Sequence, residues 1–311
     1  MKSGEPKRSK QIKDLTASVK TRLLNIAKQT NRDFNAVLLQ YFQERFLYRL
    51  SISQYQNGFI LKGALLLLTH RMSRLRPTRD IDFLGQGISN APDNIEKIMQ
   101  EIVAIDCEDG VIFDPKTVTA DEIIESADYQ GVRVRVEATL GGIKEVLWMD
   151  VAFGDKIVGG PYQTDFPVLL EQMPVPKISV YSIESSIAEK FESLVKLSFV
   201  SSRMKDIYDI LFQAENVDFL FDNLREAIIA TFQHRRTPIE DRSVIFSNDF
   251  KQNSDKQKQW KAFLSRNRLT FNESFLDVIN KLELFLEPVC TNDPALKNTK
   301  WDNKAWRWKR L

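Results

Sequence analysis

The chain has 311 residues, 43% of them hydrophobic, enough to bury one large core or two ordinary ones, since domains commonly run to about 100–200 residues. Its formal net charge is +2, and its two cysteines, Cys107 and Cys290, are too few for a disulfide framework or a thiolate metal cage, which suits a reducing compartment. No apolar run approaches the roughly 18 residues of a membrane span, so the expectation is a cytoplasmic protein of two lobes with no membrane partner.

The positive balance sits at the two ends. Residues 1–13 carry five Lys/Arg against Glu5, and residues 300–311 carry five against Asp302. Without those ten basic and two acidic residues the 44 and 42 become 34 basic against 40 acidic, so the body is mildly acidic. Basic ends on such a body suit a polyanionic partner, and equally they keep termini solvated.

In chain order, Phe34, Val37, Leu38, Tyr41 and Phe42 recur at helical spacing, with Gln40, Gln43 and Glu44 on the other side. Asn57-Gly58 marks a turn before the short apolar strand Phe59-Ile60-Leu61. Gly63 then opens a helix running toward Met72, and a basic loop with Arg71, Arg74, Arg76 and Pro77 follows. It delivers the chain into Arg79-Asp80-Ile81-Asp82-Phe83-Leu84, whose period of two predicts a strand with one acidic face. Pro92 begins a covering helix with Ile95, Ile98, Met99 and Ile102 on its stripe. Val132, Val134 and Val136 alternate with Arg133, Arg135 and Glu137, Gly141-Gly142 turns the chain, and Val146 to Phe153 returns as a buried strand containing Asp150. From Ser182 the pattern is helical, with Ile183, Ile187, Phe191 and Leu194 on one stripe and few strand signals beyond. Pro174 and Pro176 mark the lobe boundary, and residues 247–259 read as an exposed loop leading into a helix.

Asp80 and Asp82 leave the same face of their strand, and two adjacent carboxylates repel unless a cation lies between them. Oxygen donors at this spacing suit Mg²⁺. Asp150 is the third carboxylate; a lone charge in an apolar strand costs several kcal/mol unless a metal or hydrogen bonds compensate it. A strand running into a Gly-opened helix, a strand with Asp-x-Asp, and a later strand with a third Asp is the layout of a nucleotidyltransferase core. Gly63 and the small Ala64 leave room for a phosphate at the helix start.

The stretch from Phe59 through Lys62-Gly63-Ala64 to Leu67, followed by Arg76-Pro77-Thr78-Arg79-Asp80-Ile81-Asp82-Phe83, closely resembles the first motif of the AbiEii/AbiGii toxin family. Met149-Asp150-Val151-Ala152-Phe153-Gly154-Asp155 resembles that family's third-carboxylate strand, Ala188-Glu189-Lys190 its lysine motif, and Arg203-Met204-Lys205-Asp206-Ile207-Tyr208-Asp209 its last motif. The resemblance implies an α+β fold: a nucleotidyltransferase-like, polymerase beta-type mixed sheet with flanking helices over residues 1–173, then a mostly helical C-terminal lobe over 174–311. It implies that Asp80, Asp82 and Asp150 bind Mg²⁺, that Gly63 and Ala64 cradle the triphosphate of an NTP, that Lys190 contacts phosphate and that Asp206 completes the site. Ala64 departs from the family's usual Gly or Ser and removes a hydroxyl donor. Lys62, Arg79 and Lys205 are further candidates for phosphate contacts, each equally readable as a solvated cation or half of a surface ion pair.

The implied activity is transfer of a nucleoside monophosphate from an NTP to the tRNA 3′ end, in a phage-defence or toxin–antitoxin setting with a cognate AbiEi-like regulator as antitoxin. A protein or small-molecule acceptor, and a non-catalytic binder of NTP or antitoxin, are the alternatives. The C-terminal run from Trp301 to Arg310 interleaves aromatics with cations, which suits stacking on RNA bases or docking onto the body.

Overall fold

The computed structural model describes residues 5–70, 78–126, 129–291 and 293–311. The basic loop at Arg71, Arg74, Arg76 and Pro77, with Met72, lies outside the described residues, as do the side chains of the basic N-terminal run. The chain divides into two compact units, one of Met1–Gly154 with Tyr162–Val180, the other of Asp155–Pro161 with Tyr181–Leu311.

The first unit is a mixed sheet with helices. It runs α1 (Glu5–Gln29), α2 (Phe34–Ser51), β1 (Phe59–Lys62), α3 (Gly63–Thr69), β2 (Asp80–Gly85), α4 (Pro92–Val103), β3 (Val111–Phe113), β4 (Thr119–Ser126), β5 (Tyr129–Leu140), β6 (Ile143–Phe153), β7 (Tyr162–Asp165) and β8 (Lys177–Val180). The strand order is β3-β5-β6-β2-β1-β8-β7, with β4 also on β5; β2 runs parallel to β6, and β1 parallel to β8. Gly141 and Gly142 both have positive φ, the backbone of a tight hairpin turn, and they fix the β5–β6 register from Leu140↔Ile143 outward. One face of these strands is apolar. Ile81, Phe83, Val132, Val134, Leu147, Met149 and Val151 are buried on it, and Phe83 meets the rings of Phe46 and Phe59 with centroids 6.3 and 5.6 Å away.

Helix α2 begins at Asp33, whose side chain caps the amides of Asn35 and Ala36. Its expected polar side is buried too: Gln43 and Glu44 are 2% and 0% exposed. Gln43 donates to the carbonyls of Thr78 and Arg79, and Glu44 accepts from the Leu169 amide and pairs with Arg45 at 2.6 Å. Beside them Arg49 forks onto Asp109 and donates to the Val111 carbonyl. Paired charges thus replace a solvated face, which periodicity alone does not reveal.

The second unit is mostly helical, with α5 (Ile183–Leu197), α6 (Met204–Asn216), α7 (Phe221–His234), α8 (Arg242–Ile245), α9 (Asn248–Lys251), α10 (Ser254–Arg266) and α11 (Phe275–Thr291), then the hairpin β9 (Thr299–Asp302) and β10 (Arg307–Arg310). Residues 247–259 hold α9 and the start of α10, with Phe250 and Lys256 buried, so this stretch is not the exposed loop that its polarity suggested. The terminal tryptophans dock: Trp301 is fully buried, and the indoles of Trp301, Trp306 and Trp308 donate to the carbonyls of Ala214, Lys281 and Phe285. Arg235 links Asp155, Glu189 and Glu192 at 3.0, 3.5 and 3.1 Å, tying the short segment 155–161 to α5.

Burial, opposed by Arg45 and by the Leu169 amide, pushes the Glu44 carboxyl up from 4.5 to about 7. The native state therefore holds a proton between pH 4.5 and 7 that the unfolded chain releases, and stability falls as pH rises through that window by up to about 1.4 kcal/mol per unit. Urea unfolding at pH 5, 6 and 7 should show this slope in wild type and its loss in Glu44→Gln. A wild-type-minus-variant difference constant across those pH values would mean that Glu44 is ionised throughout.

Candidate active site

The face of the first sheet opposite its apolar core carries the polar chemistry, because residues in register on neighbouring strands share a face. One row crosses five strands: Asp121 on β4, Arg133 on β5, Asp150 on β6, Asp82 on β2 and Lys62 on β1. The next row is Thr119, Arg135, Trp148 and Asp80. Asp82 and Asp150 are therefore direct lateral neighbours, bracketed by Arg133 and Lys62.

Asp150 is not a lone acid in an apolar strand. Arg133 forks onto it, Nε to Oδ1 at 2.8 Å and Nη2 to Oδ2 at 2.7 Å, with the carboxylate 14% and the guanidinium 44% exposed. This partner was legible from the sequence. Counting outward from Gly141-Gly142 pairs residue 133 with residue 150, since their numbers sum as those of Leu140 and Ile143 do.

Gly63 starts α3 with φ +68°, and a Cβ built on it would fall 1.9 Å from Asp82 Oδ2. The missing side chain is what admits the Asp82 carboxylate to this position beside the backbone. Ala64, in the first turn of α3, is 6% exposed. Arg79 lies just before β2 with an exposed side chain, its carbonyl bound by Gln43. In the second unit, Lys190 Nζ lies 3.9 Å from Asp206 Oδ1 and 3.4 Å from Asp209 Oδ2, with Arg203 3.8 Å from Asp206. Lys205 is exposed on the same helix as the buried Asp206. Asp209, the last residue of the Arg203–Asp209 motif, lies one turn beyond Asp206 on α6, and that spacing is the sequence signal for its place beside Lys190.

Among the described residues no group of three or more His, Cys, Asp or Glu is gathered as a metal cluster. The carboxylates still fit a divalent cation in ligand type and register: all are hard oxygen donors on one sheet face, two are in register on adjacent strands, and one is seated where a Cβ would otherwise be. What fills the place of a cation at Asp150 is the Arg133 guanidinium.

Such a carboxylate pair beside a Gly-opened helix, on one face of a mixed sheet, fits the nucleotidyltransferase class to which the family match assigns the chain. Residues 45–281 match the family described as nucleotidyl transferase AbiEii toxin, type IV TA system, and the chain belongs to this family. No curated protein matches. Crystal structures that match include JHP933 from Helicobacter pylori, at 12% identity and TM-score 0.49 over 84% of this chain and 94% of that one. An antigenic nucleotidyltransferase-like protein from Paracoccidioides brasiliensis matches at 14% identity and TM-score 0.36, over 66% and 92%.

Gly63→Ala should lower stability by at least about 1 kcal/mol from the positive φ. It should also displace Asp82, with about a 100-fold loss of transfer activity for a shift near 1 Å. Thermal melting and single-turnover transfer measure the two effects, and full activity in the variant would remove Asp82 from the reacting centre.

Proposed function

We propose that the carboxylate face transfers a nucleoside monophosphate from an NTP to the 3′-terminal hydroxyl of a tRNA. The observation that carries this reading is the lateral pair Asp82–Asp150 beside Gly63 on an exposed sheet face. Asp80, Asp82 and Asp150 would hold Mg²⁺, which when bound neutralises polyphosphate charge and lowers the pKa of an acceptor hydroxyl. The acceptor oxygen bonds to the α-phosphorus as the bond to pyrophosphate breaks, and the hydroxyl proton is lost.

The remaining roles belong to this chain's cations. Arg133 neutralises Asp150 before substrate arrives, Lys62 does so beside Asp82, and Lys190 offers phosphate an ammonium already framed by Asp206 and Asp209. Backbone at Gly63 and Ala64 would accommodate the triphosphate, and Arg79 and Lys205 are exposed cations of the kind that phosphate attracts. An RNA acceptor is supported by the basic run at residues 300–311, where Arg307, Lys309 and Arg310 are exposed while the tryptophans are engaged in docking. The antitoxin partner is proposed to be a cognate AbiEi-like regulator, with phage defence as the setting. No described helix is long and apolar enough to cross a membrane.

Incubation with each α-labelled NTP, Mg²⁺ and total tRNA should label tRNA, and Asp82→Asn or Asp150→Asn should cut the rate by about 100- to 1000-fold, as for loss of a group stabilising transition-state charge. Label on protein would move the reaction to a protein acceptor, and no label with any NTP would leave a binding protein. In chelator, Arg133→Ala should melt below wild type because the carboxylate pair loses its counterion. Mg²⁺ should then raise the variant's melting temperature more than that of wild type, and equal responses would show that Arg133 and the cation do not share Asp150.

A further inference from the structure

We propose that Trp148 is the platform on which a nucleobase stacks at the carboxylate face. This rests on the nucleotidyl-transfer reading and names the subsite that would receive the base. Trp148 is two residues before Asp150 on β6 and in register with Asp80, so its ring leaves the face that carries all three carboxylates. The two rows are about 7 Å apart along the strand, the rise of two residues. That is a ribose-sized step between a phosphate held at Asp82–Asp150 and a ring lying over Trp148.

The tryptophan stands out from its surroundings. On β6 the inward residues Leu147, Met149 and Val151 are fully buried, whereas Trp148 is 37% exposed. The chain's four other tryptophans are committed to packing: Trp260 is 2% exposed, and Trp301, Trp306 and Trp308 give their indole N–H to backbone carbonyls. A large aromatic surface left open on a polar sheet face is costly in water and marks a place where another flat apolar surface is received. Arg135 stands opposite Trp148 on β5 with its side chain 41% exposed, supplying a cation at the edge of the platform. An open indole, a flanking guanidinium and a neighbouring row of carboxylates together suit one ligand class, a nucleotide whose base lies over the indole and whose phosphates would reach the acidic row through the divalent cation proposed there. Stacking is tolerant of base identity, so the platform orients a base, while choice among the four bases falls to hydrogen bonds at its edge.

The test is equilibrium binding to the full-length chain in Mg²⁺, using ATP, GTP, CTP, UTP, inorganic triphosphate and a short single-stranded RNA with free hydroxyl ends. Trp148→Ala should weaken the preferred NTP about tenfold, a typical loss for one base–aromatic stack, leave triphosphate binding unchanged, and raise KM for NTP more than it lowers kcat. Trp148→Phe should recover most of the affinity, because a ring remains; a merely structural role would not separate NTP from triphosphate. Weakening confined to the RNA also supports the platform and assigns it to a base of the acceptor. Identical binding of NTP and RNA by wild type and Trp148→Ala overturns the platform and leaves nucleotidyl transfer standing. Failure of wild type to bind either triphosphate or any NTP overturns both.

Discussion

The arrangement turns on the repulsion between Asp82 and Asp150. Two carboxylates a strand spacing of about 4.8 Å apart repel by roughly 3 kcal/mol at an effective dielectric near 20, a large fraction of a domain's net stability. Sheet register makes them neighbours. The relief is lateral: Arg133 and Lys62 bracket the pair within the same row. Gly63 adds the other condition, since any side chain there would occupy the position of Asp82 Oδ2. The row thus sets a counterion on either side of two neighbouring acids, and one of them, Arg133, is 44% exposed.

Holding that row in register requires a rigid opposite face. The hydrophobic side of β2, β5 and β6 is fully buried, and a one-residue slip would carry Asp82 and Asp150 into that core. The Gly141-Gly142 turn fixes the register of one neighbouring pair, and parallel pairing of β2 on β6 fixes the other. Helix α2 contributes by an unusual route. It is buried nearly all round, and its Glu44, Arg45 and Arg49 satisfy the amide of Leu169 and the carbonyls of Pro174, Ile105 and Val111, so the connections that frame the sheet are pinned by charge-assisted hydrogen bonds as well as by apolar contact.

Most of the sheet was legible because its signals are local. Alternation announced β2 and β5, paired glycines announced the hairpin, and a glycine ahead of an apolar run announced α3. The row itself was only half legible. Asp-x-Asp states its own face, whereas the partner of Asp150 lies 17 residues away and needs the hairpin register to be counted. The polar side of α2 misled because periodicity sees polarity and is blind to a buried partner such as Asp109 or Arg45. Residues 247–259 misled for a related reason: short helices such as α9 and α10 are held by a few buried groups, Phe250, Lys256 and Trp260, in an otherwise polar string. The C-terminal hairpin left a readable trace in its alternating tryptophans and cations, but the trace could not separate stacking on bases from docking, a choice made by the carbonyls that receive the indoles.

The same electrostatic device recurs in the second unit. Lys190 is held between Asp206 and Asp209 at 3.9 and 3.4 Å, and Arg203 approaches Asp206 from its exposed side. These contacts are longer than the 2.7–2.8 Å fork of Arg133 on Asp150. In each unit, then, acid and base are paired, Arg133 with Asp150 in the first and Lys190 with Asp206 and Asp209 in the second; in the nucleotidyl-transfer reading proposed above, a polyphosphate and its cation would take one partner over. Arg133 is 44% and Lys190 13% exposed, whereas Arg45 and Arg49 of α2 are sealed at 0% and 2%.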